Sequence, residues 1–132
     1  KVPTLDTNVL VRYLVADDKK QFAIAQNYIE SKSTDFSLFV PLSVAIELEW
    51  VLRSRYEIDK ETIISTFISL LETREVQFQE EDSIERALNL YDDSKADFAD
   101  CLHLAIGFTH EQLPLVTFDR KASKLDDSQL LQ

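Results

Sequence analysis

Apolar positions along this chain follow two periods, one of about 2 and one of about 3.6 residues, and the two alternate in order. Short apolar runs at residues 2–5, 36–42, 75–79 and 115–118 predict strands. Between them, apolar residues spaced three and four apart predict helices. The first helix follows Asp6, with Thr7 or Asn8 as its cap and Val9, Leu10, Tyr13 and Leu14 as its apolar face. A second is predicted over 18–31, carrying Phe22, Ala25, Tyr28 and Ile29. Ser43 is the expected cap of a helix reaching residue 56, and Asp59 starts another with Ile63, Phe67, Leu70 and Leu71 inward. Helices over 81–91 and 97–110 follow, then a short helix near Lys121 and an edge strand at 128–131. Strands separated by helices, with few hairpin signals, predict an α/β fold with a parallel sheet covered on both faces. No repeat, low-complexity tract or linker interrupts this order, so residues 1–132 are expected to form one domain.

Two of the apolar runs end in an acid: Val2-Pro3-Thr4-Leu5-Asp6 and Leu115-Val116-Thr117-Phe118-Asp119. Both read as buried strands that stop at a carboxylate. In an open parallel sheet, ligands bind in the crevice beyond the carboxyl ends of the strands. If both strands share a sheet, Asp6 and Asp119 meet there. Like charges placed together repel unless a cation sits between them, so the pattern predicts a metal site.

Composition narrows the chemistry. A hydrophobic share of 45% and a charged share of 29% are those of a globular protein. No apolar stretch approaches the roughly 18 residues of a membrane span. The chain starts at Lys1 rather than methionine, which suggests a trimmed start, and no basic and apolar leader precedes Val2. The single cysteine, Cys101, lies in a helical apolar pattern with Phe98, Leu102 and Ala105, which predicts a packed thiol and fits a reducing cytoplasm. One glycine, Gly107, rules out the Gly-rich loops that cradle phosphates. Two histidines and one cysteine leave no zinc-finger spacing, and no Gly-x-Ser-x-Gly elbow is present. A net charge of −10 excludes a broadly basic phosphate-neutralising surface and suits a basic partner. A nucleic-acid role must then rest on local patches or on bound metal.

Several acids resist explanation as a solvated face. On the helix after Ser43 the apolar stripe is read as Val44, Leu48, Val51 and Leu52, and Glu47 falls within it. An inward carboxylate needs a partner, either a functional one or an arginine such as Arg12. Glu49 lies four residues before Arg53 and reads as half of a surface pair. Asp97 stands just before Phe98, where a helix cap belongs. Asp100 lies three residues on, beside Leu104, where capping explains it less well and a functional acid explains it better.

This set resembles the PIN-domain ribonucleases, in particular VapC-type toxins of toxin–antitoxin pairs. Leu5-Asp6-Thr7-Asn8-Val9-Leu10-Val11 is similar to the first family motif. Val40-Pro41 through Glu47-Leu48-Glu49-Trp50-Val51-Leu52 is similar to the second, with Glu47 at the acidic position. Ala96-Asp97-Phe98-Ala99-Asp100-Cys101-Leu102-His103-Leu104-Ala105 resembles the third, in which Asp100 matches the main acid and Asp97 an accessory one. Val116-Thr117-Phe118-Asp119-Arg120-Lys121-Ala122 resembles the fourth. Cys101 stands where the family more often has alanine. The resemblance implies a three-layer α/β/α domain with a mostly parallel central sheet. It implies hydrolysis of RNA phosphodiesters with Mg²⁺ or Mn²⁺, catalysis by Asp6, Glu47, Asp100 and Asp119, and metal ligation by these four with Asp97. It also implies a small antitoxin partner and a homodimer. Hard oxygen donors suit such ions.

Thr7 and Thr117 carry hydroxyls beside two of the acids, fit to hold a water or phosphate or simply to serve as cap and strand residues. Arg12, Arg53, Arg55, Arg120 and Lys121 are candidates for gripping RNA phosphates, with surface ion pairing as the plainer use. The Leu, Ile and Phe content of residues 43–71 offers a groove for an amphipathic partner helix, though core packing competes for the same side chains. Two other α/β enzymes with acid pockets fit less well. A receiver domain wants paired acids after its first strand and an acceptor Asp at the end of a mid-chain strand. A haloacid-dehalogenase-type phosphatase wants Asp-x-Asp, and Asn8 occupies the second slot. A non-catalytic binding module of the same fold, or a housekeeping nuclease without an antitoxin, stands as the alternative.

Overall fold

The computed structural model describes residues 1–32 and 37–132, which gather into two compact units, 1–79 and 80–132. In the first unit, α1 (Thr7–Leu14) and α2 (Lys19–Glu30) lead to β1 (Leu38–Val40); α3 (Leu42–Ser54) and α4 (Lys60–Leu71) then cross to β2 (Val76–Phe78). The two strands pair in parallel with Leu38 opposite Val76 and Val40 opposite Phe78. A helical crossover is what a parallel pair requires. The strand expected at 2–5 contracts to a single parallel bridge between Thr4 and Phe39. The Phe39 N–H donates to the Pro3 carbonyl and the Leu5 N–H donates to the Phe39 carbonyl, both at 2.9 Å. Pro3 has no N–H to extend this ladder, and the next acid already caps α1. The strand expected from residue 36 is described from Leu38, its first residue lying outside the described segment.

Capping differs from expectation at two places. Asp6, rather than Thr7 or Asn8, caps α1, its Oδ1 accepting the Thr7 N–H at 2.8 Å. Helix α3 begins two residues earlier than predicted, so Ser43 is inside it; Pro41 stands at the cap, and its carbonyl accepts the Val44 and Ala45 N–H groups. The Gln79 side chain takes the exposed Leu42 N–H at 2.9 Å. Asp18 and Asp59, where two helices are expected to start, are the caps of α2 and α4, each accepting a backbone N–H three residues on. The buried faces are narrower than the apolar patterns: α1 buries Thr7, Leu10 and Val11, and α2 buries Ala25 and Ile29 while Tyr28 stays exposed. In α4, Ile63, Phe67 and Leu70 are buried, with the Phe67 and Phe78 rings 6.5 Å apart.

The second unit packs α5 (Glu81–Asp93) on α6 (Phe98–Thr109), followed by β3 (Leu115–Thr117), a 3₁₀ turn (Ala122–Lys124) and β4 (Ser128–Leu130). Strands β3 and β4 are also parallel, Leu115 opposite Ser128. Phe98, Cys101, Leu102 and Ala105 are buried as predicted, and Phe98 meets Tyr91 edge-on at 5.5 Å. The run at 115–118 is not a buried strand: Val116 is 51% and Phe118 77% exposed. In a two-stranded pair alternate side chains face away from the layer beneath, so apolar composition alone does not bury them. Among the described residues no helix is long and apolar enough to cross a membrane.

Gly107 is half-buried and faces the turn that ends α6. A Cβ there would stand 2.9 Å from the Gln112 carbonyl oxygen, while the Gly107 carbonyl accepts the Gln112 N–H at 2.8 Å. Helix propensity favours alanine by about 1 kcal/mol, but the overpacking costs about 1–3 kcal/mol. Gly107→Ala is expected to lower the melting temperature, and thermal unfolding by circular dichroism checks the sign.

Candidate metal centre

Helix α6 and the turn after β3 bring three of the predicted acids together. Asp97, Asp100 and Asp119 each offer a carboxylate oxygen, and the three atoms lie within 4.8 Å of one another. Asp119 is held from both sides. Its N–H donates to the Thr117 hydroxyl at 2.9 Å, and its Oδ1 accepts the Ala122 N–H at 2.8 Å. Asp100 sits in the first turn of α6, where the helix dipole favours a negative charge. Burial nevertheless raises its pKa above the ordinary carboxylate value, and the charges of Asp119 and Asp97 push the same way; His103 and Lys121 partly offset them. Asp97 occupies the cap position of α6, but its side chain makes no capping hydrogen bond. Its Oδ1 lies 3.8 Å from the Lys121 ammonium instead. The capping role predicted for Asp97 is therefore not made by its carboxylate, which is left to the cluster. A crowded set of hard oxygen donors is what Mg²⁺ or Mn²⁺ takes, and no nitrogen or sulfur ligand competes within the group.

Asp6 and Glu47 belong to the first unit, each with its own partners. Thr7 is buried, and its hydroxyl donates to Glu47 Oε1. One Asp6 oxygen is committed to the α1 cap. Glu47 itself is exposed, so the helical-face reading that placed it inward was mistaken. The buried acid of α3 is Glu49, 3% exposed, whose Oε2 accepts from Arg53 Nε at 2.8 Å. The buried positions of α3 are Val44, Ala45, Leu48, Glu49 and Leu52, a stripe centred on Ala45 and Glu49 rather than on Glu47. The predicted spacing of Glu49 and Arg53 does form an ion pair, but it runs inward from a half-exposed guanidinium to a buried carboxylate. Arg12, the alternative partner for Glu47, binds Asp17, Gln21 and Tyr56 instead. The Tyr56 hydroxyl and Asp17 raise its pKa further, so it stays charged there.

The two threonines are the residues whose part the sequence left open, and each orients an acid. A cavity of about 540 Å³ lies between α1 and α2, lined by Leu5, Val9, Ile24, Ala25 and Tyr28 with Arg12 and Gln21 at its edge. None of residues 43–71, where a groove is expected, lines this apolar cavity.

A family model described as PIN domain matches residues 4–128, across both units. A VapC ribonuclease of Aquifex aeolicus (strain VF5) is 30% identical over 121 residues, 92% of this chain and 90% of that protein. Two solved structures are similar. A toxin–antitoxin complex from Klebsiella pneumoniae is 20% identical with a TM-score of 0.38, over 98% of this chain and 96% of that one. The sarcin–ricin-loop-cleaving toxin VapC20 of Mycobacterium tuberculosis is 18% identical with a TM-score of 0.44, over 92% of each chain.

The raised pKa of Asp100 sets a pH dependence. A carboxyl that holds its proton more tightly when folded supports the fold most at acid pH, below its ordinary value of 3.8; that support is lost as pH rises through the raised value. Metal-free Asp100→Asn protein is expected to melt above the parent at pH 7, with the gain vanishing as the pH falls below the ordinary carboxylate range. A melting series in EDTA checks this. A gain that is absent at pH 7 removes the crowding.

Proposed function

This chain belongs to the PIN-domain family, and from that premise we propose that it is a divalent-metal-dependent endoribonuclease, the toxin of a toxin–antitoxin pair. The observation that carries the reading is the trio Asp97, Asp100 and Asp119, three carboxylates held within 4.8 Å. In this reading they hold Mg²⁺ or Mn²⁺, with Asp6 and Glu47 as further acids of the same activity. The ion, when bound, supplies the positive charge that makes a water nucleophilic at neutral pH and offsets negative charge on the phosphodiester.

The residues of the chain do the rest. Thr117 and the Ala122 amide keep Asp119 in one orientation, and Thr7 does the same for Glu47. Pinned ligands need no reorganisation when the substrate arrives. Attack by water at phosphorus breaks the bond to the 3′ oxygen and leaves a 3′-hydroxyl and a 5′-phosphate. The RNA's own 2′-hydroxyl takes no part.

Cleavage of total RNA is therefore expected with Mg²⁺ or Mn²⁺ and not with EDTA, and the products are expected to carry 5′-phosphates. Asp6→Asn, Glu47→Gln, Asp100→Asn and Asp119→Asn should each cost about a hundredfold or more in rate, two powers of ten being near 3 kcal/mol of barrier. Asp97→Asn removes a ligand and the ion pair with Lys121 while losing no capping bond, and a smaller loss is expected. Mapping the ends by ligation and sequencing decides the matter. Cleavage in EDTA, or 2′,3′-cyclic ends, overturns the mechanism.

The same reading includes a cytoplasmic location, a homodimer and a small antitoxin with a basic segment, to which a chain of net charge −10 is complementary. The apolar cavity between α1 and α2 is a seat for an apolar face of that partner. Expression of the chain alone is expected to slow growth, and the product of the neighbouring gene to restore it. Ile24, exposed at the cavity, can be changed to glutamate without disturbing a core. Ile24→Glu should keep ribonuclease activity and lose rescue by the partner, as measured by growth and by co-purification. A harmless chain that still cuts RNA favours a housekeeping nuclease, and a metal-binding chain that cuts nothing favours a binding module.

A further inference from the structure

Five cations stood as candidates for holding RNA phosphates, and the structure separates them. Arg12 is tied to Asp17, Gln21 and Tyr56, and Arg53 to the buried Glu49. Among the described residues Arg55 and Arg120 form no ion pair, and neither pairs with an acid of the cluster. Lys121 does, with its ammonium 3.8 Å from Asp97 Oδ1.

The backbone brings it there. Asp119 and Lys121 lie two residues apart on one tight turn, closed by Ala122 N–H to Asp119 Oδ1 at 2.8 Å and Ser123 N–H to the Asp119 carbonyl at 3.0 Å. The turn that fixes the acid therefore fixes the origin of the lysine side chain. Stability does not account for the pairing, since both partners are more than half exposed, at 57% and 60%. An exposed ion pair of this length adds little to folding. A four-carbon stem that is only loosely tied at its tip can turn to another anion.

From this geometry we infer that Lys121 is the phosphate-binding residue of the acid cluster. In the metal-free protein it serves as the cluster's own counter-charge; beside a divalent ion it turns from Asp97 to an RNA phosphate. The inference rests on the ribonuclease reading for its substrate and on the geometry alone for its counter-charge role. Arginine is expected to substitute for it, because a phosphate accepts from either cation.

The two roles predict opposite shifts in one variant. Mn²⁺ binding to the full chain is followed by the paramagnetic resonance of free Mn²⁺, with no RNA present. Lys121→Gln removes a competing positive charge and should bind Mn²⁺ about three- to tenfold more tightly. Binding of a nuclease-resistant phosphorothioate RNA to the Mn²⁺-loaded protein is followed by fluorescence anisotropy. There Lys121→Gln should bind about tenfold more weakly, as expected for one charge-assisted contact. The slope of log affinity against log salt should fall by about 0.7, one contact's share for a single strand. Lys121→Arg should restore both values. A merely structural lysine would weaken Mn²⁺ and RNA binding together, and that result overturns the inference, as does an unchanged salt slope. If the parent protein binds the RNA and Mn²⁺ as stated but cleaves no RNA, the ribonuclease reading fails by itself and the role of Lys121 stands.

Discussion

Crowding of like charge is the constraint on which the second unit depends. Asp97, Asp100 and Asp119 come within 4.8 Å although no bond of the fold requires them to meet. Each is brought there by something else: Asp97 and Asp100 by the start of α6, Asp119 by the turn that closes onto Ala122. A fold selected for stability alone would separate them or pair each with an arginine. Here the available cation is a loosely tied lysine, and the pKa of Asp100 stays raised, first by burial and then by the neighbouring carboxylates. The arrangement carries a cost that a divalent ion would offset under the proposed function, a trade expected at functional sites.

Orientation is supplied by threonine at both places where it is seen. The Thr117 hydroxyl accepts the N–H of the acid two residues on, and the Thr7 hydroxyl donates to an acid forty residues away. The first bond is local and sets a turn. The second is long-range and fixes how α1 and α3 face each other within the first unit. A hydroxyl suits both tasks because it donates and accepts, is small enough to bury, and carries no charge to compete with the carboxylate it serves. Neither role is visible in composition, since threonine beside an acid also reads as an ordinary cap or strand residue.

Most of the element order was legible because the periods are clean. The helices from Asp18, Asp59 and Glu81 and the one after Asp97 begin within a residue or two of where caps and apolar spacing place them. What was not legible is the phase of α3. Reading the stripe as Val44, Leu48 and Val51 makes Glu47 inward and Glu49 outward, yet Val51 is only half-buried and Ala45 is fully buried. A small residue contributes little to an apolar pattern, so Ala45 was passed over and the stripe was turned by a fraction of a helical turn. The Glu49–Arg53 spacing held the correction, because a long arginine can reach inward to satisfy a buried acid. Burial of β3 failed for a related reason: apolar identity says which side chains can be buried, and the layer beneath decides which are. Joining Asp97, Asp100 and Asp119 from sequence needed motif spacing, since Asp119 follows Asp100 by nineteen residues with a helix and a strand between.

The net charge of −10 then takes on a narrower meaning. A nuclease that grips RNA by a basic surface has affinity before it has metal, and its binding decays steeply with salt. This chain has spent two of its well-placed arginines on its own acids, Arg12 on Asp17 and Arg53 on Glu49. An acidic protein with three crowded carboxylates should repel a polyanion until a divalent ion reverses the local sign. Metal would then control whether the substrate stays as well as whether it is cut. Under that arrangement one lysine at the rim matters more than its exposed ion pair suggests, because it is a positive charge positioned where the field changes sign.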